Sequence, residues 1–408
     1  MLDDHRLTKF NEDLVTPPEK SSSQQQEEQQ RQYPPRFFLG DSSFSVYEDM
    51  GVYLRQLGWS GTKSKALMLK SDLILGDRFT IPYSVLRCEP LQSSSYYGGY
   101  RWINYFRGSH RLTLKASMAR LLQESDATCN EWMPQSFVLG GDQKKRQDDR
   151  ELFIQYSETH PEGIWIIKRS SGSKGKDILM VRSLEEIKDF IKTLDPSSRS
   201  IFVSQKYVER PLLYHGRKFD IRVWALLKTP YEIYAFSQGS CRTSSVPYDP
   251  DDTKNVLAHL TNHCLQEGAS QFGQYEEGNE LWFPQLGKYL HEVFNENVLE
   301  NRILPQISNI IIRTLLAMKL VLEVSSEEPY KCFQIFGYDL IVDDQMVVYL
   351  LEINGSPGVA TKFLRPVVVE TLSLVNGSDA PRKWDPNVIQ FVKLWGDGDV
   401  MPEGSARL

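Results

Sequence analysis

The chain of 408 residues reads as a mixed α/β (α+β) protein whose strands carry charge. Three observations lead there. Short apolar runs such as Gly163–Arg169 and Ile201–Val208 are separated by stretches with helical spacing, such as Leu184–Leu194. Lys218–Trp224 alternates strictly, with Lys218, Asp220 and Arg222 on one face and Phe219, Ile221 and Val223 on the other. Two more strand-like runs, Phe333–Asp343 and Val347–Asn354, hold Asp339, Glu352 and Asn354 where a buried strand normally holds apolar side chains.

Bulk properties narrow the class. An aromatic content of 11% and a charged content of 25% describe a globular protein, long enough for two or three domains. A net charge of −6 gives no reason to expect nucleic acid as a partner. The five cysteines are scattered and lack C-x-x-C spacing, as expected in a reduced cytoplasmic compartment. The first residues are polar, so no secretory signal is expected. No uncharged apolar run approaches the ~18 residues of a membrane span, so no membrane partner is expected.

In chain order, residues 1–36 form a low-complexity extension, with Ser21–Gln30 wholly polar. A small α/β unit is expected over 37–109, with an amphipathic stretch on Val46, Met50, Tyr53, Leu54 and Leu57. A second unit over 110–214 opens with a helix at Leu112–Leu122. It contains a charged loop, Gly140–Arg150, and strands at 163–169, 178–182 and 201–208. A third unit over 215–380 holds a long helix at Leu304–Leu322, the two acidic strands and a helix near Val367–Leu374. Residues 381–408 read as a flexible tail rich in Gly, Pro and charge.

The chemistry-bearing residues follow from these strands. If the acidic runs pair as a hairpin, Asp339 meets Leu350, Glu352 and Asn354, which alternation places on one face. Two carboxylates and an amide oxygen suit Mg²⁺ completed by substrate phosphates, which points to a nucleotide-using enzyme. Either acid alone would read as a solvated strand end. Lys168 ends an apolar strand, where an unpaired ammonium is costly, and a Gly/Ser-rich loop with Lys174 and Lys176 follows. A phosphate is the natural partner, although no G-x-x-x-x-G-K-[ST] loop is present. Arg222 and Arg242 suit an oxyanion or phosphoryl group through their planar forks. His259 and His263 have zinc spacing without an H-E-x-x-H frame, so a polar loop touching ribose or phosphate is the stronger reading.

Taken together, Lys168 with Ser171–Gly175, Arg217–Arg222, His259–Asn262, and Phe336–Asp339 with Glu352–Gly355 resemble the tubulin tyrosine ligase-like family. The resemblance implies an ATP-grasp fold with small N-terminal, central and C-terminal domains, ATP lying between the last two. Within the family, Asn104–Gly108 with Lys115–Ser117, Arg242–Tyr248, His259–Gln266 and Tyr275–Glu280 match the tyrosine-adding ligases rather than the polyglutamylases or glycylases. His263 favours the tyrosine-adding ligases, because the glutamylating and glycylating relatives more often carry tyrosine at that place. Leu114 departs from the family pattern, in which a basic residue is usual.

The resemblance also implies roles. Lys115, Lys168 and Lys218 would hold ATP phosphates, and Gln205, Lys206, Tyr207 and Val208 the adenine, largely through backbone groups. Asp220, His259, Thr261 and Asn262 would line the ribose and phosphate region, and Asp339, Glu352 and Asn354 would hold Mg²⁺. Arg222, Arg242 and Glu352 would be catalytic. The implied reaction activates the C-terminal glutamate of detyrosinated α-tubulin as an acyl phosphate, which the amine of free tyrosine attacks. The implied protein is a cytoplasmic, cytoskeleton-associated monomer that binds the tubulin heterodimer. Arg101, Arg107, Arg111 and Arg120 are candidates to meet the acidic tubulin tail. Rival readings are a glutamate- or glycine-adding ligase of the same family, a small-molecule ATP-grasp ligase, and an inactive tubulin-binding module.

Overall fold

The computed structural model describes residues 34–40, 45–77, 79–88, 99–140, 148–172, 178–194 and 200–400. Most of the low-complexity extension, loop residues 141–147, the segment 173–177 with Lys174 and Lys176, and residues 401–408 lie outside the described residues.

The first strands are β1 (Arg36–Leu39), β2 (Ser60–Thr62), β3 (Leu73–Leu75) and β4 (Arg101–Ile103). Next come β5 (Ser136–Gly140), β6 (Trp165–Arg169), β7 (Ile178–Val181) and β8 (Ile201–Lys206). The third group is β9 (Leu213–Tyr214), β10 (Arg217–Lys228), β11 (Glu232–Thr243) and β12 (Glu280–Trp282). The last are β13 (Tyr330–Val342), β14 (Val348–Asn354) and β15 (Phe391–Trp395). They form a large mixed sheet in the order β12-β11-β10-β13-β4-β3-β1-β2, with β14 also on β13, β15 on β11 and β9 on β10. A second, antiparallel sheet runs β5-β8-β6-β7. This arrangement is consistent with the expected ATP-grasp fold.

Alternation along β10 divides the core. Phe219, Ile221, Val223, Ala225 and Leu227 face a cluster that includes Ile307, Ile311 and Leu315 of helix Leu304–Leu316. Trp224 and Leu226 face the opposite side, packed with Phe333 and Ile335 beneath helices Val46–Gln56 and Thr361–Val375. The charged trio Lys218, Asp220 and Arg222 shares that second face but lies beyond Trp224. One sheet face is therefore a covered apolar core at one end and a polar floor at the other. The smaller sheet has its own core, in which Phe137, Phe153, Trp165 and Ile187 pack together. Helix Leu184–Thr193 of that core starts at a capping box between Ser183 and Glu186.

Several elements differ from expectation. The helix expected at Leu112–Leu122 is two pieces, His110–Thr113 and Lys115–Ser125, with Leu114 extended between them. The long helix ends at Leu316 and a short turn, Lys319–Leu322, follows. Part of the expected flexible tail is a strand, because Phe391, Val392 and Trp395 bury against β11. Asp339 does pair with Glu352 across an antiparallel hairpin, but the register shifts between Asp339 and Leu340. Leu351 is the extra residue. Leu350 therefore joins the core opposite Leu340, and does not share the face of Glu352 as strict alternation required.

Candidate functional site

The polar floor has a definite register. Trp282, Ser240, Arg222, Asp339 and Glu352 are successive cross-strand partners on β12, β11, β10, β13 and β14. A second row beside it runs Glu280, Arg242, Asp220. Cross-strand partners share a face, so these side chains meet above the sheet.

Their charges are paired. Arg222 forks onto both oxygens of Asp339, with Nη2 donating to Oδ2 at 2.9 Å. Arg242 forks onto Asp220 with both contacts at 2.7 Å, and its Nη2 also lies 3.1 Å from Asp339 Oδ1. Thr261 Oγ1 donates to Asp220 Oδ2 at 2.7 Å. Burial opposes ionisation of Asp339, yet Arg222 and Arg242 outweigh it and hold the carboxyl well below the usual carboxylate range. Across the bulge, Lys115 Nζ lies 2.7 Å from Glu352 Oε2 and donates to Gly172 O at 3.0 Å.

Facing this floor, the smaller sheet supplies a wall. The cleft between them has about 870 Å³ of empty space, part of it open to solvent. Lys168 reaches into it from β6, with Nζ donating to Gln205 Oε1 at 3.1 Å. Lys218 Nζ donates to Tyr207 OH at 2.7 Å and to His259 O at 2.8 Å. Neither lysine is in an ion pair within 4 Å among the described residues. Dehydration is the main cause that lowers Lys168 to about 8, with neighbouring Lys115 also contributing. Dehydration and the charge of Lys168 lower Lys218 to about 7. Two buried ammonium groups without a close counter-charge are chemically suited to an anion.

The sequence-derived set converges here. Lys115, Lys168, Gln205, Lys206, Tyr207, Val208, Lys218, Asp220, Arg242, His259, Thr261, Asn262, Asp339 and Glu352 all line the cleft. Arg222 stands directly behind Asp339, and Asn354 Nδ2 lies 3.5 Å from Asp339 Oδ2. The Lys206 ammonium is bound to Glu162 O, over Trp165, so its side chain is committed to that side. Both ring nitrogens of His259 are engaged, Nδ1 by Tyr207 OH at 2.9 Å and Nε2 with Asp252 O at 2.9 Å. Burial and nearby Lys218 keep its pKa below the ordinary histidine value. His263 pairs with Glu267 and contacts Phe272, and does not line the cleft. The two histidines therefore do not form a zinc site.

Two corrections concern the arginines and the apolar lining. Arg101 is fully buried and binds Ser71 O and Leu69 O, so it cannot meet an acidic peptide. Arg120 lies 3.3 Å from Asp149, which leaves Arg107 and Arg111 as the exposed members of that group. Sequence reasoning missed Ile166, Ile178, Leu260, Ile341 and Leu351, which give the cleft an apolar side fit for a flat ring. Alternation held the signal for two of them, since Ile166 precedes Lys168 by two residues and Ile341 follows Asp339 by two.

Asp339 and Glu352 are directly opposed carboxylates, an arrangement that repels unless cations intervene. With the amide of Asn354 they make a hard-oxygen donor set that fits Mg²⁺. In the described geometry Arg222, Arg242 and Lys115 balance those charges.

Comparison with known proteins follows the same residues. A family model described as the tubulin-tyrosine ligase family matches residues 92–372. The chain is 27% identical over 313 residues to a probable alpha-tubulin polyglutamylase of Tetrahymena thermophila, covering 69% of this chain and 73% of the relative. It is 32% identical over 225 residues to a tubulin glycylase of the same organism, covering 53% of this chain but 21% of that relative. Over 360 residues it is 25% identical to a probable tubulin polyglutamylase of Bos taurus, covering 76% of this chain and 75% of the relative. These relatives carry glutamylase and glycylase names, where the sequence markers had favoured tyrosine addition. Their matches and the cleft's motif residues agree on one point: the chain belongs to the tubulin-tyrosine ligase family.

Proposed function

We propose that this chain is an ATP-dependent ligase that joins an amino acid to a glutamate carboxylate of tubulin, with glutamate or glycine addition favoured over tyrosine. The observation that carries the reading is Lys168 of the wall and Lys218 of the floor sharing one cleft with the Arg222–Asp339–Glu352 row. Such a site can hold a polyphosphate and an acceptor carboxylate together.

A carboxylate does not condense with an amine at neutral pH, because its oxygen is a poor leaving group. Phosphorylation by ATP gives an acyl phosphate. The amine then attacks the carbonyl carbon, and phosphate departs with the C–O electron pair. Lys168 and Lys218 bind the phosphates. Arg222 and Arg242 orient the acceptor carboxylate and stabilise the tetrahedral oxyanion, so catalysis is positioning and electrostatics. Asp339, Glu352 and Asn354 would hold Mg²⁺, and the chemistry it would supply there is charge neutralisation at the phosphoryl group. Arg107 and Arg111 are the exposed cations to meet an acidic tubulin tail.

Relatives named as polyglutamylases and glycylases support the amino-acid preference. The tyrosine reading rests on segments such as His259–Gln266. One of its markers, His263, pairs with Glu267 outside the cleft lining. The test supplies labelled glutamate, glycine or tyrosine separately with Mg·ATP to native and carboxypeptidase-treated tubulin. Glutamate or glycine incorporation that falls at least ~100-fold in Glu352→Gln is the expected result. Incorporation of tyrosine alone would reverse the preference. A chain that binds ATP but incorporates none would move the reading to a binding role.

A further inference from the structure

We propose that Glu280 and Lys362, both neighbours of Trp282, bind the ammonium and the carboxylate of the incoming free amino acid. This rests on the ligase reading above and gives that reaction its second substrate site.

The floor rows continue past the arginines. Glu280 is the cross-strand partner of Arg242, and Trp282 that of Ser240, which in turn faces Arg222. A carboxylate opposite an arginine would ordinarily pair with it. Arg242 instead turns the other way and gives its donors to Asp220 and Asp339. Glu280 keeps one contact, from Ser240 Oγ to Oε1 at 3.2 Å. Among the described residues it takes part in no ion pair within 4 Å, although it stands at the edge of a four-charge network.

Trp282 follows two residues later on the same face and packs edge-on to Phe363, with ring centroids 5.0 Å apart. Lys362 Nζ lies 5.3 Å from the Trp282 centroid and is likewise in no ion pair within 4 Å among the described residues. An acid and a base, each without an ion pair within 4 Å among the described residues, thus stand beside one partly buried indole on the edge strand of the row. A zwitterion satisfies both, and a free α-amino acid is the small zwitterion this reaction consumes. Glu280 would hold its amino group beside Arg242, on the side of the row where Arg222 and Arg242 hold the activated carboxylate. The remaining edge of Trp282 is left for the amino-acid side chain.

Equilibrium dialysis tests this directly. The full chain, saturated with Mg²⁺ and a non-hydrolysable ATP analogue, is dialysed against labelled glutamate, glycine or tyrosine. Retention of at least one is expected. Glu280→Gln and Lys362→Met should each weaken it roughly ten- to a hundredfold, the worth of one charge-assisted hydrogen bond. Nucleotide affinity should not change, which controls for folding, and Glu280→Asp should recover part of the loss. Equal retention by Glu280→Gln and the wild type would overturn the proposal, as would no retention of any of the three by the wild type. Glu280-dependent retention without incorporation into tubulin would sink the tubulin reading and leave this site standing.

Discussion

Lys168 and Lys218 show what single residues contribute before any ligand arrives. With a folded pKa near 7 against an ordinary 10.5, Lys218 binds fewer protons folded than unfolded across that window. Stability of the free protein therefore rises with pH from about 7 to 10.5, and the contribution is lost as pH falls through 7. A bound polyphosphate reverses the preference by restoring a counter-charge to both ammonium groups. Nucleotide binding at pH 8 is accordingly expected to take up protons, approaching one per chain at Lys218 and a fraction at Lys168. Affinity should weaken as pH rises above 8. Calorimetric titrations in two buffers of different ionisation heat measure the uptake. Identical apparent enthalpies in both would remove these lysines from contact with phosphate. The residue-scale part of the site was largely legible in sequence because an ammonium on an apolar strand, or a +/−/+ face on β10, has few inexpensive explanations. Arg101 was misread because nothing in its neighbourhood distinguishes a buried arginine capping carbonyls from a solvated one.

At the scale of elements, register decides which side chains meet. The β10 alternation could be read directly, since its period and its two faces agree. The β13–β14 bulge could not, because Val347–Asn354 satisfies simple alternation and the extra residue gives no compositional sign. Nor was the outer end of the floor visible: β12 is three residues long, and its partnership with β11 is a tertiary fact. The bulge lets Leu350 face the core while Glu352 faces Asp339, which one unbroken strand cannot do in this register. Deleting Leu351 makes Leu350 and Glu352 neighbours, which regular alternation places on opposite faces, so Leu350 stays in the core and Glu352 stays opposite Asp339 without the bulge. The deletion is therefore expected to melt close to the wild type and to retain Glu352-dependent incorporation, with weaker nucleotide binding because Leu351 lines the cleft. Leu351→Ala keeps the residue count and should weaken nucleotide binding in the same direction. Loss of incorporation in a deletion variant that still melts like the wild type would show that the bulge itself is needed to place Glu352.

For the whole molecule, the N-terminal 37–109 unit expected from sequence is joined to the rest through the sheet itself. Its strand β4 pairs with Tyr330–Cys332 at the start of β13, the strand that carries Asp339 further along. Tyr47 OH accepts the Ile335 backbone N–H at 2.9 Å. Gln334 accepts the Phe106 N–H through Oε1 at 3.0 Å and donates to Gly355 O, also at 3.0 Å, just past Asn354. No proposed nucleotide or metal residue lies before Lys115, yet the strand that presents them is held from its other end by residues 36–106. Removing residues 1–109 would uncover Phe333 and Ile335, leave the start of β13 an unpaired edge and free the loop at Gly355. A chain beginning at residue 110 is thus expected to melt without a cooperative transition, to bind an apolar dye, and to lose nucleotide binding. Removing only residues 1–33 should change none of these, since the apolar residues that pack with Phe333 and Ile335 begin at Phe37. If the shorter chain melts cooperatively and still binds nucleotide, the two acidic strands hold their register unaided, and the N-terminal unit is free to serve another role.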